Sequence, residues 1–297
     1  MNYKKIIKSR KTRFAILKAL KFVPDSLMLR IQYKLQLNRW PNLKRPKRYT
    51  EKLQSYKMHY RNPILHQCVD KYEVRKYVCN KGLDNILNKL YGVYSKADDI
   101  DFSSLPERFV IKTTDGGGGN TIIICNDKSK LNVQSTIVEV NSWLNASRAN
   151  AGREWAYVDI DKSQIIVEEY LENPISPEAG IEDFKILCFH GEPKYIIVDK
   201  DRYIDHKRNF YTTNWERVYV DTDHEQFEDE YPKPKNLDKM LEIAAKLSSD
   251  FPHVRVDLYN IEGKVLFGEL TFYPWSGYVQ FTPDEFDYKL GSLFTEY

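Results

Sequence analysis

The chain has 297 residues, 42% of them hydrophobic and 29% charged, and includes 21 Tyr, 14 Phe and 5 Trp. That balance suits a globular protein of two domains or one large one, packed largely by aromatic rings, and it excludes general disorder. The net charge of +3 hides a split: residues 1–61 carry 18 Lys and Arg against Asp25 and Glu51 (+16), and the rest carries 27 basic against 40 acidic residues (−13), so the two parts answer to different partners.

No run of eighteen apolar residues occurs, which predicts no membrane-spanning helix, and no apolar core before a small-residue cleavage site marks a secretory leader. Cys68, Cys79, Cys125 and Cys188 are scattered, without a CxxC pair or a His at ligand spacing. Reduced structural thiols in a cytoplasmic protein are therefore expected, and zinc is not.

Residues 1–37 interleave Ile6, Ile7, Phe14, Ile16, Leu17 and Leu20 with basic residues, predicting helix interrupted at Pro24. A basic amphipathic helix suits an anionic membrane surface; it equally suits a helix packed on the body with its lysines reaching outward. No motif that reads or stacks bases is present, so nucleic acid is not expected as a partner. Thr50 ahead of helical spacing predicts a capped helix over 51–60, ended by Asn62-Pro63, and residues 69–81 predict one short helix stopped by Gly82.

A strand is predicted over 109–113 and another over 121–125, joined by a turn containing Gly116, Gly117, Gly118 and Gly119. The strand-to-helix setting of a P-loop or dinucleotide fingerprint is absent. Such a glycine tip lets backbone N–H groups approach phosphate oxygens, with Lys112 beside them; a merely loose loop is the other reading. A helix over 133–144 and strands over 164–170, 183–189 and 194–198 follow, the last two separated by a turn at 190–193. Residues 199–215 read as an irregular, charged, aromatic loop holding Arg202, His206, Lys207 and Arg208. Residues 221–230 are acidic and read as solvated, and 236–249 has the spacing of an amphipathic helix.

Residues 253–274 read as two strands joined at Glu262-Gly263. Val254, Val256 and Leu258 point one way and Arg255 and Asp257 the other, while Glu269 and Thr271 share a face of the second arm. Folding the hairpin can bring Asp257 and Glu269 together with Arg255 on the same side. Converging carboxylates are costly unless something positive sits between them, and a hard divalent cation is one answer. An ordinary solvated charged face is the other.

The order of these pieces carries further information. RNPILHQCVDKYEVRKYV, LPERFVIKTTDGGGGN, VEEYL, DFKILCFHGEPKYIIV and VRVDLYNIEGKVLFGELTFYP, in that order, resemble the ATP-grasp superfamily and within it the TupA-like branch of teichuronopeptide biosynthesis. The resemblance covers about residues 22–291. It implies an α+β fold in which the nucleotide is held between two antiparallel-sheet subdomains, with a basic helical segment over 1–62, a lysine and glycine-flap subdomain over 63–165, and a hinge and metal-binding subdomain over 166–297. It implies ATP and Mg²⁺ as cofactors: Lys71, Lys112 and Lys185 on the nucleotide phosphates, Gly116 to Gly119 as the flap, Glu168, Glu169 and Leu171 as the adenine hinge, and Asp183 toward the ribose. Asp257 and Glu269 resemble magnesium ligands, and Arg255, with Lys112, serves the transferring phosphoryl group. Thr271 stands where many members carry Asn; it is a shorter oxygen donor, in the GELTFYP form of the TupA-like branch.

The resemblance further implies a cytoplasmic carboxylate–amine ligase of bacterial capsular or surface-polysaccharide synthesis, joining an amino acid or amine to an acid such as a uronic acid, free or saccharide-linked, through an acylphosphate. Arg202 is expected in the catalytic centre, and Arg202, Lys207 and Arg208 are expected to bind an anionic substrate or to be ordinary surface charge. The rival readings are a small-molecule kinase and a glycosyltransferase, the latter suggested by the Asp-x-Asp spacing at Asp159/Asp161 and Asp221/Asp223. The basic residues 1–37 place peripheral contact with the inner face of an anionic membrane among the expectations.

Overall fold

The computed structural model describes residues 9, 12, 16, 17, 19–116, 121–144, 153–157 and 163–295. After Pro24, as expected, α1 runs over Asp25–Leu37, followed by α2 (Tyr49–His59). Thr50 does not cap α2. Glu51 does, its carboxylate accepting the N–H groups of Asn42, Lys47 and Arg48, while the Thr50 side chain donates to Asp287 at 2.7 Å. The short helix expected over 69–81 is α4 (Val74–Asn80), and a separate helix, α3 (Ile64–Val69), precedes it. The Asp70 carboxylate accepts the N–H groups of Tyr72 and Glu73, and that local bond offers the backbone an alternative to continuing the helix.

The strands form two antiparallel sheets. The smaller has the order β1 (Leu90–Tyr94), β4 (Ile165–Glu169), β2 (Phe109–Thr113), β3 (Ile122–Cys125), with α5 (Val133–Leu144) packed beside it. Its core gathers Ile100, Phe102, Phe109, Ile111, Val140, Ile165 and Val167. The larger has the order β10 (Lys264–Thr271), β9 (His253–Ile261), β5 (Asp183–Phe189), β6 (Glu192–Lys200), β7 (Lys207–Thr212), β8 (Arg217–Val218). The strand β7 corrects the loop expected there: Arg208 is buried and paired across the sheet with Asp199.

Helix α6 (Leu237–Ser248) covers the apolar face of the large sheet through Leu237, Met240, Ile243 and Leu247, a stripe at helical spacing. Truncating one such side chain to Ala costs about 2–5 kcal/mol. The same core takes in Tyr49, Leu53 and Tyr56 of α2, the apolar residues of α3 and α4, and Phe286 and Leu290 of α7 (Glu285–Leu293). Arg39 and Arg48 bind Asp284, and Thr50 binds Asp287, fastening the N-terminal helices to the C-terminal one. Packing therefore divides the chain differently from the expected boundaries. Residues 49–87 belong with the large sheet, and β4 crosses the 165/166 boundary to lie inside the small one.

Both long hairpins of the large sheet turn through two residues with positive φ, His190-Gly191 and Glu262-Gly263. That left-handed pair matches the twist of the flanking strands.

Candidate active site

In a regular hairpin closed at Glu262-Gly263, Gly268 would lie opposite Asp257, and Glu269 would point with Val256 into the core. A bulge at Gly268 absorbs one residue, so Phe267 pairs with Leu258 but Glu269 pairs with Asp257 and Thr271 with Arg255. A Cβ at position 268 would stand 2.9 Å from the Asp257 carbonyl oxygen, so the close approach requires glycine. The bulge is what brings Asp257, Glu269, Thr271 and Arg255 to one face.

On that face Arg255 itself is the positive charge between the carboxylates. Its Nε and Nη2 grip Asp257 at 2.7 and 2.6 Å, and Nη2 reaches Thr271 Oγ1 at 3.1 Å and Glu269 Oε1 at 3.4 Å. Burial opposes the charge on Arg255, but Asp257 and Glu269 raise its pKa, so it stays a cation. Burial pushes Asp257 up to about 6 against the pull of Arg255 and Lys185. Burial also opposes ionisation of Glu269, yet Lys71, Arg255 and Lys185 hold it below the usual carboxylate value.

The charged lattice continues across the sheet. Lys185, in register with Asp257, lies 2.5 Å from Asp183, 3.3 Å from Asp199 and 3.9 Å from Asp257. Asp183 also binds Arg202, and Asp199 takes Arg208 through two bonds of 2.5 and 3.0 Å. Burial opposes charge on Asp199, but His206, Arg208 and Lys185 hold it far below the usual carboxylate range.

A cavity of about 410 Å³ lies between the sheets beside this lattice. The small sheet supplies Val110, Lys112, Ile122, Ile124, Glu168 and Glu169; the connection after β4 supplies Tyr170 and Leu171; the large-sheet side supplies Tyr259, Phe267 and Gly268. Lys71, Arg75, Arg202 and Tyr203 complete it. Ile122 and Ile124 are exposed side chains that line this space as an apolar wall. Lys112 sits 2.5 Å from Glu168, which Arg75 also approaches at 3.5 Å. Lys71 donates to the Gly116 carbonyl, and its own amide donates to Thr114 at 2.7 Å, tying the turn before α4 to the base of the glycine tip. A Cβ at Gly116 would overlap Thr121 Oγ1. A smaller space of about 140 Å³ adjoins Lys71, lined by Cys68, Tyr157, Glu269 and Thr271.

Of the residues singled out from the sequence, Lys71, Lys112, Glu168, Glu169, Leu171 and Arg202 line the main cavity; Gly116 lies at the smaller one; and Arg255, Asp257, Glu269, Thr271 and Lys185 form the adjoining charged face. Gly117, Gly118 and Gly119 fall outside the described residues. Asp183 is turned away from the cavity lining into its bonds with Lys185 and Arg202. Arg208 is buried between Asp199 and Asp223, and Lys207 pairs with Asp205 at 3.0 Å, so neither stands at the cavity. Of the two Asp-x-Asp pairs, Asp159/Asp161 is outside the described residues, and Asp221 and Asp223 are engaged by Gln226 and Arg208.

The sequence reading missed Arg75, Asn88 and the bulge. Asn88 donates to the Glu169 carbonyl at 2.9 Å. Arg75 lies four residues beyond Lys71, in the first turn of α4, and a glycine inside a strand pattern is a known bulge signal.

The all-oxygen donors Asp257, Glu269 and Thr271 fit a hard cation such as Mg²⁺. Among the described residues no three His, Cys, Asp or Glu side chains gather as a metal-ligand set.

A family model described as TupA-like ATPgrasp matches residues 51–295. No curated protein matches the chain. Among solved structures it is similar to D-alanine–D-alanine ligase from Bacillus anthracis, with 18% identity, 69% of this chain and 57% of that chain covered, and a TM-score of 0.45. It is also similar to N5-carboxyaminoimidazole synthetase from Staphylococcus aureus complexed with ADP (11% identity, 69% and 44% covered, TM-score 0.40) and to L-amino acid ligase from Bacillus licheniformis (13% identity, 71% and 42% covered, TM-score 0.40). The chain thus spans about half the length of these structures.

Proposed function

This chain belongs to the TupA-like ATP-grasp family, and on that premise we propose that it is an ATP- and Mg²⁺-dependent carboxylate–amine ligase. The observation that carries the reading is the juxtaposition of the cavity holding Lys71 and Lys112 with the face holding Arg255, Asp257 and Glu269. Phosphoryl transfer needs positioning and charge neutralisation more than a protein nucleophile, and that is what these residue types supply.

In this reading the apolar wall of Val110, Ile122 and Ile124 takes the base, with Glu168, Glu169 and Leu171 at its edge. Lys71, Lys112 and Lys185 bind the phosphates, and the glycine tip closes over them. Magnesium, held by Asp257 and Glu269 with Thr271 beside them, would neutralise the phosphate oxygens. Arg255 orients the γ-phosphoryl group while a substrate carboxylate oxygen attacks its phosphorus and the bond to ADP breaks. The acylphosphate so formed is attacked at its acyl carbon by an amine, which loses a proton as phosphate leaves and the amide forms. Arg202, at the cavity rim, orients the anionic substrate.

The substrates we infer are an amino acid or other amine and a carboxylate such as a uronic acid, free or saccharide-linked, in capsular or surface-polysaccharide synthesis on the cytoplasmic side of the membrane. The test is a screen of acid–amine pairs for ADP release. ADP formed only when both are supplied, with an amide of the summed mass less water, supports the ligase. ADP formed with a hydroxyl acceptor alone, yielding a phosphate ester, replaces it with a kinase.

A further inference from the structure

Helix α1 buries Met28, Leu29, Tyr33 and Leu37 and leaves Leu27, Ile31 and Leu35 exposed. Those three recur at every fourth position, within about 80° of one another around the helix, so they form one stripe on the face away from the core. Phe22, 83% exposed, precedes the helix, and Trp40, 63% exposed, follows it. Leu27, Ile31 and Leu35 make an apolar row about 12 Å long on this face, where isolated exposed apolar residues would need no explanation. The row is edged with positive charge. Arg30 and Lys34 lie beside the stripe on the helix surface, and the exposed Lys44, Arg45 and Lys47 come directly after Trp40.

We propose that this face of α1, with Phe22 and Trp40, is a docking surface for an anionic lipid bilayer. Three features select that occupant. An apolar row flanked by basic side chains, with an aromatic ring at one end, matches the acyl–headgroup boundary of such a bilayer. A second copy of this chain would bring a segment of charge +16 against its like. A nucleic-acid backbone would match the charge but leave the central Leu and Ile without a partner. The surface is separate from the nucleotide cavity, so this inference stands or falls independently of the ligase reading.

The test is co-sedimentation of the full chain with vesicles of phosphatidylcholine containing phosphatidylglycerol, against pure phosphatidylcholine. The wild type should sediment with the anionic vesicles only, and less so as salt rises. Leu27→Gln/Ile31→Gln/Leu35→Gln should cut the bound fraction at least tenfold with an unchanged thermal midpoint, and Lys44→Glu/Arg45→Glu/Lys47→Glu should do the same. Equal binding to neutral vesicles, retained binding by the triple Gln variant, a self-association that this variant abolishes, or a nucleic-acid affinity that depends on the same stripe would each overturn the proposal.

Discussion

Asp257 and Glu269 are neighbours across one hairpin but differ in how the protein holds them. The Asp257 side chain is 5% exposed and takes both arms of the Arg255 guanidinium, whereas Glu269 is 46% exposed and meets Arg255 at 3.4 Å. Removing the buried partner leaves a buried cation unpaired, so Asp257→Asn should lower stability by about 3 kcal/mol or more, and Glu269→Gln by under about 1 kcal/mol. Chemical denaturation of the two variants checks the difference; equal losses would contradict it. Arg208, expected either to bind substrate or to be surface charge, has its guanidinium between Asp199 and Asp223. Arg208→Ala is therefore predicted to cost about 3–5 kcal/mol of stability while leaving nucleotide affinity nearly unchanged where the variant remains folded. His253 gives a pH signature. It is fully buried, its Nδ1–H donating to the Cys188 carbonyl and its Nε2 accepting from Tyr49, and burial pushes its pKa down to about 3. A base with a depressed folded-state pKa binds its proton more readily when unfolded, so stability falls as pH drops from about 6.5 toward 3. Unfolding free energies measured through that window should decline by a few kcal/mol from this group, and His253→Gln should flatten the slope.

At the scale of elements, what the sequence made legible was local. The strands Phe109–Thr113 and Asp183–Phe189 and the helix Val133–Leu144 begin and end where the sequence pattern predicts: one face of the first strand and of the helix is buried, and the second strand is buried throughout. Site residues in those elements followed with them: Lys112 and Lys185 point where strand alternation sends them. What the sequence did not disclose depends on distant partners. The charged β7 reads as a loop until Arg208 finds Asp199 in the neighbouring strand, and the helix expected over 69–81 starts only at Val74 because the Asp70 carboxylate takes the amides of Tyr72 and Glu73. The bulge is of the same kind: a regular register and a bulged one differ by a single glycine, yet they send Glu269 to opposite faces. Gly268→Val should therefore lower ATP–Mg²⁺ affinity at least tenfold, by driving a side chain into the Asp257 carbonyl or by forcing the regular register. Deleting Gly268 keeps Glu269 opposite Asp257 and should lose less. Titration of both variants distinguishes the two effects, and a Val variant with wild-type affinity would show that the bulge is dispensable.

For the whole molecule, the two sheets differ in what they bring to the cavity between them. The small sheet offers apolar side chains with Lys112, Glu168 and Glu169, and beside the cavity the large one carries a lattice in which Arg255, Lys185 and Arg202 are matched by Asp257, Asp183, Asp199 and Glu269. Internal pairing of this kind keeps the cations charged and oriented without a ligand, and in the proposed ligase phosphate oxygens would exchange for carboxylate partners as they arrive. Within the basic N-terminal part, α2 joins the core of the large sheet while Lys44, Arg45 and Lys47 present their charge at the surface. No helix among the described residues is long and apolar enough to cross a membrane, and contact with a bilayer through α1 is a matter of that surface. The measurement that tests the nucleotide site most directly is calorimetric titration of ATP with Mg²⁺ into the wild type, Lys112→Ala and Lys207→Ala. The wild type and Lys207→Ala, whose side chain lies off the cavity, should bind alike, and Lys112→Ala should bind at least tenfold more weakly, a loss of about 1.4 kcal/mol or more. Equal affinity in all three, or no binding by the wild type, would contradict the placement of the nucleotide between the two sheets.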